Sequence, residues 1–309
     1  MRSSRLARVV AAMVAASALL AGLAACTAAP AAPRVSPGAT ATEGAEPSTE
    51  AFDPALIVSD DAFFDSTAMS EADIQRFLEQ TACRPDADVV CLARFRETTT
   101  DQPDEGPGHC DAYEGAPRER ASRILQRVAA ACGISPRTLL VLLQKEQSLL
   151  TRPTAYGYQR ATGYGCPDTA DCEQKYFGFF NQVYNAAWQF RQYTEHPDRA
   201  YRIGVVDVAF HPDAACGAQP VDIRNQATAN LYNYTPYQPN AAAVLDPETG
   251  DACSSWGNLN FWRLWWRWFG DPTAERFAGF LPACSRLVGG HPCPPAVTIP
   301  AAPPIAPES

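Results

Sequence analysis

Ten cysteines between residues 83 and 293 are the feature that most constrains what this 309-residue chain can fold into. An even number of cysteines behind an export signal is typical of disulfides formed in an oxidising compartment. The simplest hypothesis pairs each cysteine with its neighbour in the sequence: Cys83–Cys91, Cys110–Cys132, Cys166–Cys172, Cys216–Cys253 and Cys284–Cys293. Zinc is the competing use of cysteines, but the chain has no Cys-x-x-Cys pair and no His-Glu-x-x-His motif. We therefore expect disulfides, and neither a metal nor a cofactor.

The export signal is found in the first 26 residues. Arg2, Arg5 and Arg8 precede an apolar stretch that runs over residues 9–23, and small residues lead into Cys26. The stretch is too short and too interrupted for a membrane-spanning helix. Its ending, Leu-Ala-Ala-Cys, resembles a bacterial lipobox, so we expect a signal peptide over 1–25 and a lipid on Cys26. The alternative is an ordinary signal peptide that is cleaved nearby. A lipidated Cys26 would hold the protein at the outer face of the cell membrane, next to the cell wall.

Composition divides the rest of the chain into three parts. Residues 26–52 are rich in Ala, Pro, Thr, Ser and Gly, and they predict a disordered tether. Residues 53–271 are long enough for one domain with a sizeable core. Residues 272–309 form a Pro-rich tail with a small Cys284–Cys293 loop. The net charge of −9 excludes a basic nucleic-acid-binding surface. The oligomeric state is left open.

The apolar spacing in the domain is mostly helical. Capping residues and period-3.6 patterns predict helices over 70–78, 117–132, 136–150 and 179–193, and a short strand over 201–210. Gly133 ends the second helix, and Ser135-Pro136 begins the third. The fold class expected is mainly α, with at most a small β element and with disulfide staples.

The third helix carries a carboxyl group in its apolar stripe. Leucines recur with helical period from Leu139 to Leu150, and Glu146 lies in the middle of that pattern. Burial disfavours the charged form of a carboxyl group, so such a residue could act as a general acid. The alternative is a Glu146 that is solvated at the helix edge or paired with an arginine.

These features resemble the lysozyme-like superfamily, and the lytic transglycosylases in particular. In that family, an Ala-rich helix leads through a Gly-φ-x-Pro turn into an apolar helix with the catalytic Glu, and residues 124–146 are similar to this arrangement. Gly178–Gln182 (Gly-Phe-Phe-Asn-Gln) takes the place of the family's Gly-Leu-Met-Gln block. Leu231–Tyr234 resembles its Tyr-Asn pair. The sequence departs from the family in having Gln147 where Ser usually follows the Glu. Residues 55–270 also resemble a group of secreted actinobacterial domains.

The resemblance implies a lysozyme-like domain that cleaves peptidoglycan glycan strands with Glu146 as general acid/base. The implied substrate-binding residues are Gly178, Phe180, Gln182, Tyr232, Asn233, Tyr237 and Gln238. Hydrolysis would need a second carboxylate, and Asp168, Asp171 and the nearby Glu173 are the candidates. A lytic transglycosylase needs none, because the family's single Glu serves both proton transfers. The alternative function is a non-catalytic glycan-binding or adhesion module of the same fold.

Overall fold

The computed structural model describes residues 47–167 and 171–275, and this part of the chain is rich in helix. The α-helices are α1 (Asp60–Phe64), α2 (Glu71–Gln80), α3 (Ala121–Cys132), α4 (Pro136–Gln147), α5 (Ala155–Gln159), α6 (Phe179–Glu195), α7 (Gln226–Tyr234), α8 (Ala241–Leu245) and α9 (Gly257–Phe269). Two small antiparallel sheets pair β1 (Arg96–Glu97) with β2 (Glu119–Arg120), and β3 (Gly204–Ala209) with β4 (Ala218–Ile223). The prediction of a mainly α fold with a small β element is confirmed. Within the described ranges, no helix is long and apolar enough to cross a membrane.

The turn between α3 and α4 forms as the sequence predicts. Gly133 takes a left-handed conformation, with φ 61°, and its N–H bonds back to Ala129, which ends α3. Ser135 then caps α4 by accepting a hydrogen bond from the N–H of Arg137, and Pro136 occupies the first helical turn. The two helices are therefore joined by a tight, fully capped connection.

The core is built around α4. Five consecutive residues, Leu139–Leu143, are completely buried. Helices α3 and α9 pack against α4, and α6 packs against α3. Trp262 and Trp265 on α9 are also buried. A helix whose middle residues are buried on every side must be packed against other elements on every side, so α4 is the central helix of the core. Glu146 lies on this helix.

Four disulfides hold the described part of the chain. They join Cys83 to Cys91, Cys110 to Cys132, Cys166 to Cys172, and Cys216 to Cys253. Pairing of neighbouring cysteines is confirmed for these four. The predicted Cys284–Cys293 pair lies outside the described residues, as does Cys26.

Residues near both predicted ends of the domain contact its interior. Thr49, assigned from composition to the tether, donates a hydrogen bond to the carbonyl of Val244, and Phe52 packs edge-on against Trp262. At the other end, Ser59 bonds to the carbonyls of Pro272 and Ala274. Composition does not indicate these contacts, because they join the end segments to distant parts of the chain.

Candidate active site

Glu146 lies in the last turn of α4, and its two carboxylate oxygens have different surroundings. Oε1 is 2.6 Å from Lys145 Nζ. Oε2 faces Gly163, where an added Cβ would lie 3.5 Å away. The side chain is 25% exposed. The helix predicted over 136–150 ends at Gln147, one residue after Glu146. The expectation of Glu146 in the middle of a helical apolar stripe is therefore corrected to a carboxylate in the last helical turn, paired with Lys145.

Lys145 fixes the position of this carboxylate. Its side chain is only 5% exposed, and Nζ also donates a hydrogen bond to Thr235 Oγ1 at 2.7 Å. Thr235 directly follows α7, so the ammonium joins the end of α4 to the end of α7. The ion-pair partner of Glu146 is this neighbouring lysine, and not the arginine considered from the sequence.

A cavity of about 380 Å³ has Gly163 in its lining. The cavity is lined by the loop that follows α5, by two residues before α6, and by residues of α6 and α7. The lining residues are Gly163, Tyr164, Gly165, Cys166, Pro167, Glu173, Tyr176, Gln189, Tyr193 and Tyr234. Glu146 is not part of this lining, but its Oε2 lies next to Gly163, which is part of it.

Gln182 holds the cavity loop in place. Its side-chain carbonyl accepts hydrogen bonds from the N–H groups of Thr162 and Tyr164, at 3.2 and 3.1 Å. Its side-chain amide donates to the carbonyls of Tyr164 and Tyr176, at 2.9 and 2.8 Å. The side chain is completely buried. The predicted role of Gln182 in substrate contact is therefore corrected to a structural role, since its polar atoms are already used by the protein.

Tyr234 joins α7 to the same loop. Its hydroxyl donates a hydrogen bond of 2.8 Å to the carbonyl of Thr162, one residue before Gly163. Burial, reinforced by the negative charge of Glu146, raises the pKa of Tyr234 well above its usual value. Tyr234 is thus a neutral hydrogen-bond donor at any ordinary pH.

Three more residues predicted to contact substrate are buried in the protein interior. The Tyr232 hydroxyl bonds to the carbonyl of Pro54, and Gln238 Nε2 donates to the carbonyls of Val208 and Gln219. Phe180 packs against Tyr113 and Tyr184. All three are at most 4% exposed, so they are corrected to core residues.

The remaining predicted contacts also lie away from the cavity lining. Asn233 Nδ2 donates to the carbonyls of Tyr201 and Ala229. Gly178 begins α6 with φ 107°. The carbonyl of Tyr237 accepts a hydrogen bond from Asn258. The structure therefore does not bring these residues together with Glu146 in one cleft.

Of the candidate second carboxylates, Glu173 is the one that reaches the cavity. Its side chain pairs with Lys175 at 2.7 Å, and both groups are more than half exposed. Asp171 is exposed and does not line the cavity. Asp168 lies outside the described residues.

Sequence reasoning missed Gln189 and Tyr193 as cavity residues. Their i, i+4 spacing places them on one face of α6, but nothing in the sequence indicates which loop covers that face. In the described part of the chain, no group of three or more His, Cys, Asp or Glu residues could hold a metal ion. No protein-family model, no curated protein and no solved structure matches this chain.

Proposed function

We propose that this protein is an exported enzyme with a lysozyme-like fold that cleaves peptidoglycan glycan strands, with Glu146 as general acid/base. The observation that carries the proposal is the asymmetric carboxylate. One oxygen is held by Lys145, and the other faces Gly163, beside the cavity. A general acid/base must be fixed in position and must also keep one oxygen available for the substrate.

The cavity suits a sugar ligand. Tyr164 and Tyr176 stand edge-on with ring centroids 4.7 Å apart, and Tyr193 and Tyr234 complete an aromatic lining. Aromatic rings pack against the apolar faces of sugars, while hydroxyls and amides bond to the polar edges. Gln189 supplies the amide in this lining.

The proposed location is the outer face of the cell membrane, and the disulfides support an extracellular position. Four disulfides are compatible with an extracellular protein. A lipid on Cys26 and the segment that follows would keep the domain at the membrane surface within reach of the cell wall. The proposed partners are therefore the glycan strands and the membrane.

Two reaction outcomes are open to this site. Glu146 alone could protonate the leaving oxygen and then take the proton of the substrate's own 6-hydroxyl, which would give an anhydro product. Hydrolysis would use Glu173 as the second carboxylate, because it is the described carboxylate that lines the cavity. The absence of Glu146 from the lining favours a second candidate function, a glycan-binding module that does not cleave its ligand.

The test is digestion of purified peptidoglycan by the mature protein, followed by mass spectrometry of the released fragments. Glu146→Gln, Glu173→Gln and Glu248→Gln are compared with the unaltered protein. Glu248 is the matched control, because its side chain is 81% exposed and its nearest ion-pair contact, Arg263, is 3.7 Å away.

Anhydro products that are lost only in Glu146→Gln would support the proposed transglycosylase. Reducing-end products that are lost in both Glu146→Gln and Glu173→Gln would support hydrolysis by two carboxylates. If neither the unaltered protein nor any variant releases fragments, yet all of them bind the glycan, the protein is a binding module and the enzymatic proposal is wrong.

A further inference from the structure

Arg160 is held between two aromatic rings at the end of α5. Its guanidinium carbon lies 4.1 Å from the ring centroid of Tyr156 and 4.2 Å from that of Phe177. Both rings thus lie within cation–π distance of the same guanidinium. Contacts with two rings fix the plane of the guanidinium, whereas the guanidinium of an ordinary surface arginine is free to rotate.

The charge of Arg160 is not balanced by any described carboxylate. Its one side-chain hydrogen bond goes from Nη1 to the neighbouring Gln159, at 3.3 Å. Nε is buried without a partner, whereas Nη2 has no partner in the described structure and is open to solvent. A guanidinium that is held in place, with its Nη2 donor available to a ligand and no carboxylate partner, is unexpected in a chain whose net charge is −9.

The Arg160 group is tied to the candidate active site through the backbone. The Arg160 carbonyl accepts a hydrogen bond from the N–H of Gly163 at 2.9 Å, and the Gln159 carbonyl accepts one from Gly178 at 3.1 Å. Gly163 lines the cavity and lies next to Oε2 of Glu146. Arg160 is therefore hydrogen-bonded to the loop that adjoins both the cavity and Glu146.

We propose that Arg160, clamped by Tyr156 and Phe177, binds a carboxylate of the peptide that peptidoglycan strands carry, so that the protein prefers peptide-bearing strands to uncharged glycan. A planar guanidinium matches a carboxylate in geometry and charge, and charge-assisted hydrogen bonds are stronger than neutral ones. Tyr156 is 59% exposed and adds an aromatic surface for the peptide next to the carboxylate. This inference rests on the proposed glycan ligand, but it does not require cleavage.

The test measures binding in a Glu146→Gln background, so that cleavage does not affect the result. The ligands are soluble peptidoglycan strands freed of phosphate polymers, in three forms: untreated, with all carboxylates converted to methylamides, and with the peptides removed by an amidase. The last form keeps only the lactyl carboxylate of the sugar. Arg160→Gln is compared with Arg152→Gln, an exposed arginine that precedes α5 by a few residues.

We expect the protein with Arg160 to bind untreated strands about tenfold more tightly than either modified form, as one charge-assisted contact allows. Arg160→Gln should bind all three forms equally, and Arg152→Gln should keep the preference. Thermal unfolding checks that Arg160→Gln is folded. Arg160→Lys, which keeps the charge without the planar fork, should keep only part of the preference.

If Arg160→Gln preferred untreated strands as strongly as the parent protein does, the proposal would be overturned. The contacts of Arg160 with Tyr156 and Phe177 would then have a structural role only. Tight binding to the amidase-treated strands would overturn the assignment to the peptide and indicate the lactyl carboxylate. If the protein never cleaves glycan yet the Arg160-dependent preference is found, the enzymatic proposal fails and this inference stands.

Discussion

Gly163 lines the cavity and lies next to Oε2 of Glu146. Its φ of +73° lies in the left-handed region, where residues with a Cβ are strained. The same missing Cβ leaves the Oε2 side of Glu146 open. Backbone conformation and access to the carboxylate therefore both favour glycine at this position.

Gly163→Ala should lower glycan cleavage at least tenfold. The added methyl group would make ordinary van der Waals contact with Oε2, at 3.5 Å, and would take the space that a substrate oxygen needs. The left-handed conformation would also cost roughly 1–2 kcal/mol of stability. The measurement is kcat/KM on soluble strands, together with the thermal midpoint.

Gly217→Ala is the control for strain. Its φ of +77° is also positive, its ψ of −172° makes a side chain at least as unfavourable, and an added Cβ would meet nothing within 4 Å. We expect it to lose stability without losing activity. Equal activity losses in the two variants would show that Gly163 acts through stability alone.

At the residue scale, the sequence predicts the position of Glu146 on its helix but not the environment of its carboxylate. Leucine spacing identifies the helix. The Lys145 that pairs with Glu146 is itself held by a hydrogen bond to Thr235, 90 positions further along the chain. For Gln182, the sequence suggests a role that the observed contacts of the side chain do not support. Its place in a family-like block indicates substrate contact, yet four hydrogen bonds to nearby backbone groups use its amide.

At the element scale, Glu119 connects β2 to α3. The carboxylate is almost fully buried and pairs with Arg127 Nη1 at 2.7 Å and with Arg123 Nε at 3.1 Å. Tyr113 donates to it at 2.7 Å, and Thr99 donates to the same oxygen. Burial alone would raise the pKa of Glu119, but the hydrogen bonds from Thr99, Tyr113 and Arg127 outweigh it and lower the pKa below 4.5.

Glu119→Gln should destabilise the protein by about 1.5–3 kcal/mol at pH 7, as loss of the charge of a hydrogen-bonded carboxylate does when its arginine partners keep access to solvent. Because the folded-state pKa is lowered, the charge of Glu119 adds stability above the unfolded pKa, and this stability is lost as pH falls through the folded pKa. The difference between variant and parent should therefore shrink as pH falls below about 4.5. Urea unfolding at pH 7 and at pH 3 measures it.

Glu248→Gln is the control, since its exposed carboxylate should change stability by less than about 0.5 kcal/mol. A difference between Glu119→Gln and the parent that stayed constant down to pH 3 would mean that the hydrogen-bond geometry, and not the charge, provides the stability.

The spacing of apolar residues predicts the longer helices and the strand β3. It does not predict elements that form because of contacts with distant residues. Helix α4 begins at the predicted Pro136, and the strand predicted over 201–210 is present as β3, Gly204–Ala209. Its partner β4 was not predicted, because it contains Pro220 and buries only Val221 and Ile223. The pairing of Val206 with Val221 across the hairpin explains why this segment is extended.

At the scale of the whole molecule, the four disulfides serve regions with different roles. Cys216–Cys253 closes 37 residues and joins the β3–β4 hairpin region to the segment before α9, whereas Cys166–Cys172 closes six residues beside the cavity. Neighbour pairing was predictable from the sequence. The cavity was not, because residues 163–167, Glu173, α6 and α7 form it together.

The two disulfides should therefore separate stability from activity. In the chain-entropy model, closing 37 residues stabilises the fold by about 4 kcal/mol, and closing six residues by about 2 kcal/mol. Cys216→Ala/Cys253→Ala should lower the thermal midpoint more, while its activity below that midpoint stays near that of the parent. Cys166→Ala/Cys172→Ala should lose less stability but more kcat/KM, because Cys166 and its neighbours line the cavity. Urea unfolding and strand cleavage at 25 °C measure both quantities. If the 166–172 variant cleaved glycan as well as the parent, the substrate would not use this part of the cavity, and the site would have to be sought elsewhere around Glu146.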